Sequence, residues 1–332
     1  MSQSRVLDTE DTVQTAVLDD DLMTATGPGR VVTLADGRRA WWRPEDAAWG
    51  VALAGRALTN LGVGAADRVL VALTDPLHRD TFLGGVEAIG AQGAPESAHM
   101  PEGWATVLIT EPFRAFMEAG RPFARVILAH GPETGQAAME WYRGRLAGEP
   151  AVGELWLQPE LPGPLALRCE KGRFHITTDG MEASWSSAEE VTQVRVRREG
   201  MAGFQQGRVL TRDWVRPSAC DCGSDGLAFA AVVDRGRPMV AGDRRLFRRD
   251  IIDALFRVPG FAGSAVASLR YDRPLGRDYL VATVSALSGW DPRKVAEAVE
   301  YAFSLRFHIP ARADGVADDG RIGIVAEDRR GV

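Results

Sequence analysis

The chain has 332 residues, 45% hydrophobic and 25% charged, with a formal net charge of −6. That length and composition fit a globular chain with one large domain and one small one. The acidic balance leaves no broad basic field for nucleic acid or an acidic membrane surface, and no run of about 18 apolar residues offers a membrane span.

The first 22 residues, polar and acidic, read as a flexible N-terminus without the basic start and apolar stretch of a signal peptide, so a cytoplasmic location with reduced thiols is expected. "TATGPGRVVTLADGRRAWW" reads as a Gly-rich turn followed by two short strands around Asp36-Gly37. The stretch 44–63 is a helix, opened by Pro44 and Glu45 and closed by Gly62. "DRVLVAL" is a buried strand, and 81–93 a small-residue helix packed closely on a sheet. "WATVLIT" and "FARVILA" are strands, with helices at 111–120 and 134–148. Strands alternating with helices imply a parallel sheet covered by helices.

From residue 153 the texture changes to short segments separated by turns: 153–158, 164–170, 173–178, 181–187, 191–199 and 207–214. This is an antiparallel region. A compact tail follows, with strands at 237–242, 264–271 and 278–286 and helices at 248–260 and 291–307, a small ferredoxin-like α+β unit. The expected domains are therefore 23–233 and 234–332.

Three cysteines occur in the chain. Cys220 and Cys222 share the turn "SACDCGSDG", and Cys169 lies six residues before His175. Cys3His is a standard structural zinc set, and tight turns fix such ligands in place. A Cys220–Cys222 disulfide would close a strained ring. Buried apolar cysteines with a core histidine are the other reading of the same residues. Basic residues are almost all arginine; only Lys171 and Lys294 are lysine, which restricts where a catalytic lysine can stand.

Several stretches together resemble one family. "GPLALRCEKGRFHITTDGMEASW" is similar to "GPGVAxEC…GLHIxEDHFxxEV" of the phenylacetate–CoA ligases, members of the adenylate-forming ligases. "TRDWVRPSACDCGSDG" resembles the family's "YRTRDL…CxCGRT", and "VVDRGRPMVAGDRRLFRRDIIDALFRVPGF" its hinge and following helix. The match runs in order over residues 24–325. It implies the adenylate-forming fold: a large N-terminal α/β domain with an antiparallel subdomain, and a small C-terminal α+β domain. It also implies Zn2+ on Cys169, His175, Cys220 and Cys222, since many of these ligases carry zinc at those positions.

Such ligases attack the α-phosphate of ATP with a carboxylate, form an acyl-adenylate, and pass the acyl group to a thiol or amine. The resemblance therefore implies ATP/AMP and Mg2+ as cofactors and a small, aromatic carboxylic acid as substrate, in specialised metabolism. It leaves room for a carrier or pathway protein as partner and for a homodimer. The phosphate loop corresponds to "TATGPGR", with Thr24, Gly27 and Gly29. "WLQPE" corresponds to the family's YGLSE, which puts Trp156 at the adenine-stacking aromatic and Glu160 at the magnesium glutamate. "TRD" puts Asp213 on the ribose aspartate, "AHGPE" places Gly131 in the adenine-binding turn, and the hinge arginine is Arg235 or Arg237. By position the acid pocket takes Phe113, Gly84 and Gly85 together with Trp156.

Two features depart from the family. The phosphate loop is eroded, and Arg321 stands where the family has its C-terminal catalytic lysine, preceded by Asp318 and Asp319 in what reads as an exposed hairpin tip. Arginine keeps the charge without the compact geometry. The chain therefore reads either as a divergent ligase or as a non-catalytic descendant that binds a nucleotide, an acyl-adenylate or a partner.

Overall fold

The computed structural model describes residues 30–33, 39–42, 44–96, 103–112, 122–130, 136–158, 161–176, 182–184, 190–197, 208–224, 227–235, 238–318 and 323–330. Strands β1 (Arg30–Thr33) and β2 (Arg39–Trp42) pair antiparallel, as the Asp36-Gly37 signal predicts. The Gly-rich stretch before them and the N-terminus lie outside the described residues.

The centre is one mixed sheet of 11 strands, in the order β10-β11-β12-β13-β9-β8-β7-β6-β5-β3-β4. Its parallel half comprises β3 (Arg68–Ala72), β4 (Gln92–Pro95), β5 (Val107–Thr110), β6 (Arg125–His130) and β7 (Ala151–Leu157). Central parallel strands are buried on both faces and read as continuous apolar runs, as "VLVA", "VLIT" and "VILA" do. Their side chains alternate between two cores. Val69, Val71, Ile109 and Ile127 face helices α1 (Pro44–Asn60) and α2 (Pro76–Ala88). Leu70, Leu108, Val126 and Leu128 face the other way, onto helix α3 (Gln136–Arg143) and the C-terminal part of the chain.

α2 begins earlier than the apolar pattern suggests. The Asp75 carboxylate accepts from the Leu77 N–H at 3.0 Å, and Pro76 occupies the first turn, so the cap and not the hydrophobic run sets the start. It ends at Ala88, and Gln92–Pro95 becomes edge strand β4 instead of helix. Most of the helix expected at 111–120 lies outside the described residues.

At β7 the sheet turns antiparallel, through β8 (Pro164–Arg168), β9 (Phe174–Ile176), β13 (Ala228–Arg235), β12 (Arg208–Pro217), β11 (Thr192–Arg197) and β10 (Glu182–Ser184). The sequence reading misses β13, a central strand of this half. Its "AFAAVV" run is apolar on both faces, so it lacks the period-2 alternation that marks a half-buried strand. This half curls on itself: Trp156 of β7 touches Asp213 of β12 although three strands lie between them in sheet order. Trp156, Phe174, Phe229, Val194 and Val215 fill the curl.

The C-terminal part opens with hairpin β14 (Met239–Ala241)–β15 (Arg244–Leu246) and helix α4 (Arg248–Phe256). A four-stranded sheet of order β18-β17-β16-β19 follows, with α5 (Pro292–Phe307) between β17 and β18. β16 (Phe261–Asp272) and β17 (Arg277–Ala286) are antiparallel, while β18 (Ala311–Ala317) and β19 (Gly323–Asp328) run parallel to their neighbours on opposite edges. This corrects the expected hairpin at Asp318–Asp319: the chain there crosses from one edge of the sheet to the other. One continuous core joins α3 to α4, α5 and this sheet, so the hydrophobic interior does not part at residue 233. Trp141 and Tyr142 of α3 pack on Phe256 of α4, with ring centroids 5.2 and 6.0 Å apart. Asp253 of α4 accepts from the Ala137 N–H in the first turn of α3 at 2.9 Å. Among the described residues no helix is long and apolar enough to cross a membrane.

Candidate functional site

Two constellations stand in the antiparallel half, and β12 leads to both. The first gathers Cys169, His175, Cys220 and Cys222, whose ligand atoms all lie within 4.8 Å of one another. The β8–β9 turn supplies Cys169, closed by the Cys169 N–H on Arg173 O at 2.8 Å and by Gly172 at φ 73°. His175 sits in β9, and the β12–β13 connection brings Cys220 and Cys222. Arg173 Nε donates to Ser218 Oγ at 2.8 Å and ties the two turns together.

The donor set fits zinc. Metal–sulfur bonds of about 2.3 Å in a tetrahedron put sulfurs about 3.8 Å apart. Cys169 Sγ and Cys220 Sγ are 3.6 Å apart, far beyond a disulfide bond, and Cys222 Sγ lies 3.2 Å from His175 Nε2. All three cysteines are free thiols. The other histidine nitrogen, Nδ1, is buried without a hydrogen bond, so Nε2 is the nitrogen turned to the cluster. The hydroxyl and then the N–H of Ser224 hold the Cys222 thiol down to about 7, while desolvation pushes Cys220 up. Four protein ligands leave no open coordination position, which is the arrangement of a structural ion.

The second constellation lies at the carboxyl end of the parallel strands, where open α/β sheets bind ligands. Trp156 stands there opposite His130 of β6. Its indole N–H donates to Asp213 Oδ2 at 2.5 Å, and both residues are 0% exposed. The ring meets Phe229 edge to face at 5.1 Å. The expectation that Trp156 stacks on adenine is thereby corrected, because an indole with no exposed face has none to offer a nucleotide. Asp213 is likewise not open to solvent: it is engaged by Trp156 and lies opposite Arg235 in the β12–β13 register. Beyond Trp156, Gln158 is 0% exposed with neither amide atom hydrogen-bonded.

Gly84 and Gly85 are also corrected. A Cβ at Gly85 would stand 2.9 Å from both Ala54 Cβ and Gly55 N, and one at Gly84 would meet Val51 at 2.9 Å. These glycines let α2 lie directly on α1, so they serve helix packing and line no acid pocket. Glu160, Arg321, Arg237, Gly131, Thr24, Gly27, Gly29 and Phe113 lie outside the described residues, as does the side chain of Arg235.

Sequence reasoning missed a third group. Glu154 of β7, 2% exposed, is held by Arg143 on one oxygen and Arg168 on the other. Its only signal was an acidic residue inside an otherwise apolar strand, which implies a paired charge. His78, also buried, sets Nδ1 2.8 Å from Asp75 and Nε2 3.1 Å from Leu161 O, anchoring the loop after β7 to α2.

No family model and no curated protein sequence matches the chain. Solved structures do. A 2-hydroxyisobutyryl-CoA ligase in the postadenylation state with its acyl-AMP aligns at TM-score 0.75 and 11% identity, over 90% of this chain and 73% of that one. An open conformation of that ligase gives 0.58 at 14% identity, over 87% and 72%. The amide bond synthetase McbA of Marinactinospora thermotolerans gives 0.64 at 15% identity, over 86% of this chain and 64% of that one. The fold is that of the adenylate-forming ligases.

Proposed function

We propose that the protein is a descendant of the adenylate-forming ligases whose nucleotide site is closed by its own Trp156, and that it binds a small carboxylic acid or a partner without forming acyl-adenylate. The observation that carries this reading is the buried Trp156–Asp213 pair. A carboxylate that grips a ribose diol must be reachable, and here an indole N–H already occupies one of its oxygens. The eroded phosphate loop and the arginine at 321 in place of lysine support the same reading. The Cys169, His175, Cys220 and Cys222 cluster acts in it as a structural zinc staple.

One observation favours turnover. The chain fits the postadenylation state of the 2-hydroxyisobutyryl-CoA ligase better than its open state, and that first state holds an acyl-AMP. An active protein would join a small, aromatic acid to a thiol or an amine, in specialised metabolism, with Mg2+ near Glu160.

ATP–pyrophosphate exchange with a panel of aryl and short aliphatic acids separates the two, run beside a calorimetric AMP titration. The wild type is expected to show no acid-dependent exchange. Trp156→Phe, which keeps the ring and removes the donor, is expected to raise AMP affinity at least about tenfold, the effect of about 1.4 kcal/mol. Acid-dependent exchange by the wild type would overturn the proposal and establish the ligase reading.

A further inference from the structure

The opposite face of β12 holds a separate cavity. Trp214 and Arg216 point away from Asp213 and Val215, toward the C-terminal part of the chain, where Phe247 packs with Val191, Ala231 and Val233. Beside that contact lies a cavity of about 590 Å³ between the large sheet and the small unit. Four arginines line it: Arg216 from β12, Arg244 and Arg245 from β15, and Arg306 from α5. Two acids share the lining, Glu190 and Asp250.

The acids do not balance the arginines. Asp250 is taken by Arg306 at 2.7 Å. Glu190 is 3.8 Å from Arg216, beyond hydrogen-bond reach, and its side chain is 86% exposed. Arg216 Nε is shielded from water and makes no hydrogen bond. An ionised donor buried without an acceptor is costly, and a native structure normally supplies the missing partner. Arg244 gives one N–H to Phe307 O at 3.3 Å, and Arg245 lies 5.4 Å over the Trp214 ring. Neither printed contact places a carboxylate on them. Arg249 shows the same excess of positive charge nearby: burial above all holds its pKa down, and Arg168 and Arg216 add to the effect.

We propose that this cavity between the large sheet and the small unit binds a phosphate-bearing anion, gripped by Arg216, Arg244 and Arg245. Guanidinium forks match the oxygens of phosphate in pairs, and several convergent forks suit more than one negative charge. Because the arginines come from both parts of the chain, such an anion ties the small unit to the large sheet. The site shares no residue with the Trp156–Asp213 pair and stands whether or not adenylation occurs.

The test is calorimetry and thermal denaturation at constant ionic strength with inorganic pyrophosphate, inorganic phosphate and AMP, using sodium chloride as the control. Pyrophosphate is expected to bind one per chain and to raise Tm saturably, since a ligand of the folded state stabilises by mass action. Phosphate is expected to bind more weakly. AMP binding there would identify the source as an organic phosphate, and its absence a free anion. The Arg244→Ala/Arg245→Ala variant, changed at exposed positions, is expected to keep its unliganded Tm and to lose at least about tenfold in pyrophosphate affinity. Arg245→Gln gives the same direction should the double variant not fold. No saturable binding by the wild type up to millimolar pyrophosphate would overturn the proposal, as would binding that the arginine variants leave unchanged.

Discussion

One strand, β12, leads to two inherited sites that have fared differently. At its far end the three thiols and His175 still converge with no other side chain inserted between them. At Asp213 the chain has placed its own indole against the carboxylate. The difference follows from what each site asks of its residues. A tetrahedral metal needs four side chains of two types, so a single loss is disabling and the set is kept or lost as a whole. A nucleotide site is spread over backbone loops, one carboxylate and an aromatic face, so it can be dismantled piece by piece while its hydrophobic surroundings still fold.

The largest effect that can break this comparison is removal of the metal. Purified protein is expected to carry one zinc per chain by elemental analysis. Chelation or Cys222→Ser is expected to cost more than about 4 kcal/mol, in the range reserved for lost disulfides, metals and buried networks. Both turns would be released, because each is closed on a cluster residue. Protein without zinc, with a Tm indifferent to chelators, would remove one side of the contrast.

Trp156 supplies the next effect. Trp156→Ala deletes one of the largest fully buried side chains and is expected to cost about 3–5 kcal/mol in urea denaturation. Trp156→Phe keeps the contact with Phe229 and removes only the N–H given to Asp213, for about 1.5–3 kcal/mol. A loss near zero for the phenylalanine variant would show that the indole is a passive filler and that Asp213 is held by other groups.

The ease of reading these two sites from sequence differs for the same reason. Cys169, His175, Cys220 and Cys222 are legible because few residue types bind zinc and their spacing puts each pair on a turn. The parallel half is legible too, from its short apolar strands and capped helices. The Trp156–Asp213 pair is not legible, because it requires the antiparallel half to curl back across three intervening strands. β13 is hidden by a run of alanine and valine with no alternation. Gly84 and Gly85 look like pocket residues because a small side chain fits a ligand and a facing helix equally well, and only the approach of α1 decides between them. The tail misleads similarly: β18 and β19 look like the arms of a hairpin until their partners are known.

The smallest effect comes from a region with neither a metal nor burial, and it sets the scale for the other two. Beyond β19, Arg330 Nε donates to Asp328 Oδ1 at 2.9 Å. That side-chain hydrogen bond is the main cause holding the Asp328 carboxyl below its ordinary value. A depressed folded pKa means that the unfolded chain binds the proton more readily. The stabilisation is therefore fully present above the unfolded value of about 3.9 and is lost as pH falls through the lower folded one. Both side chains are about a third exposed, at 31% and 35%, so water and salt screen the pair. Asp328→Asn is expected to cost no more than about 1 kcal/mol at neutral pH, less in high salt, and nothing once the carboxyl is protonated. Denaturation at pH 7 and pH 3, each at two ionic strengths, measures it. A larger loss than that of Trp156→Phe would mean that the edge of the small sheet, and not the closed Asp213 site, carries the critical charge.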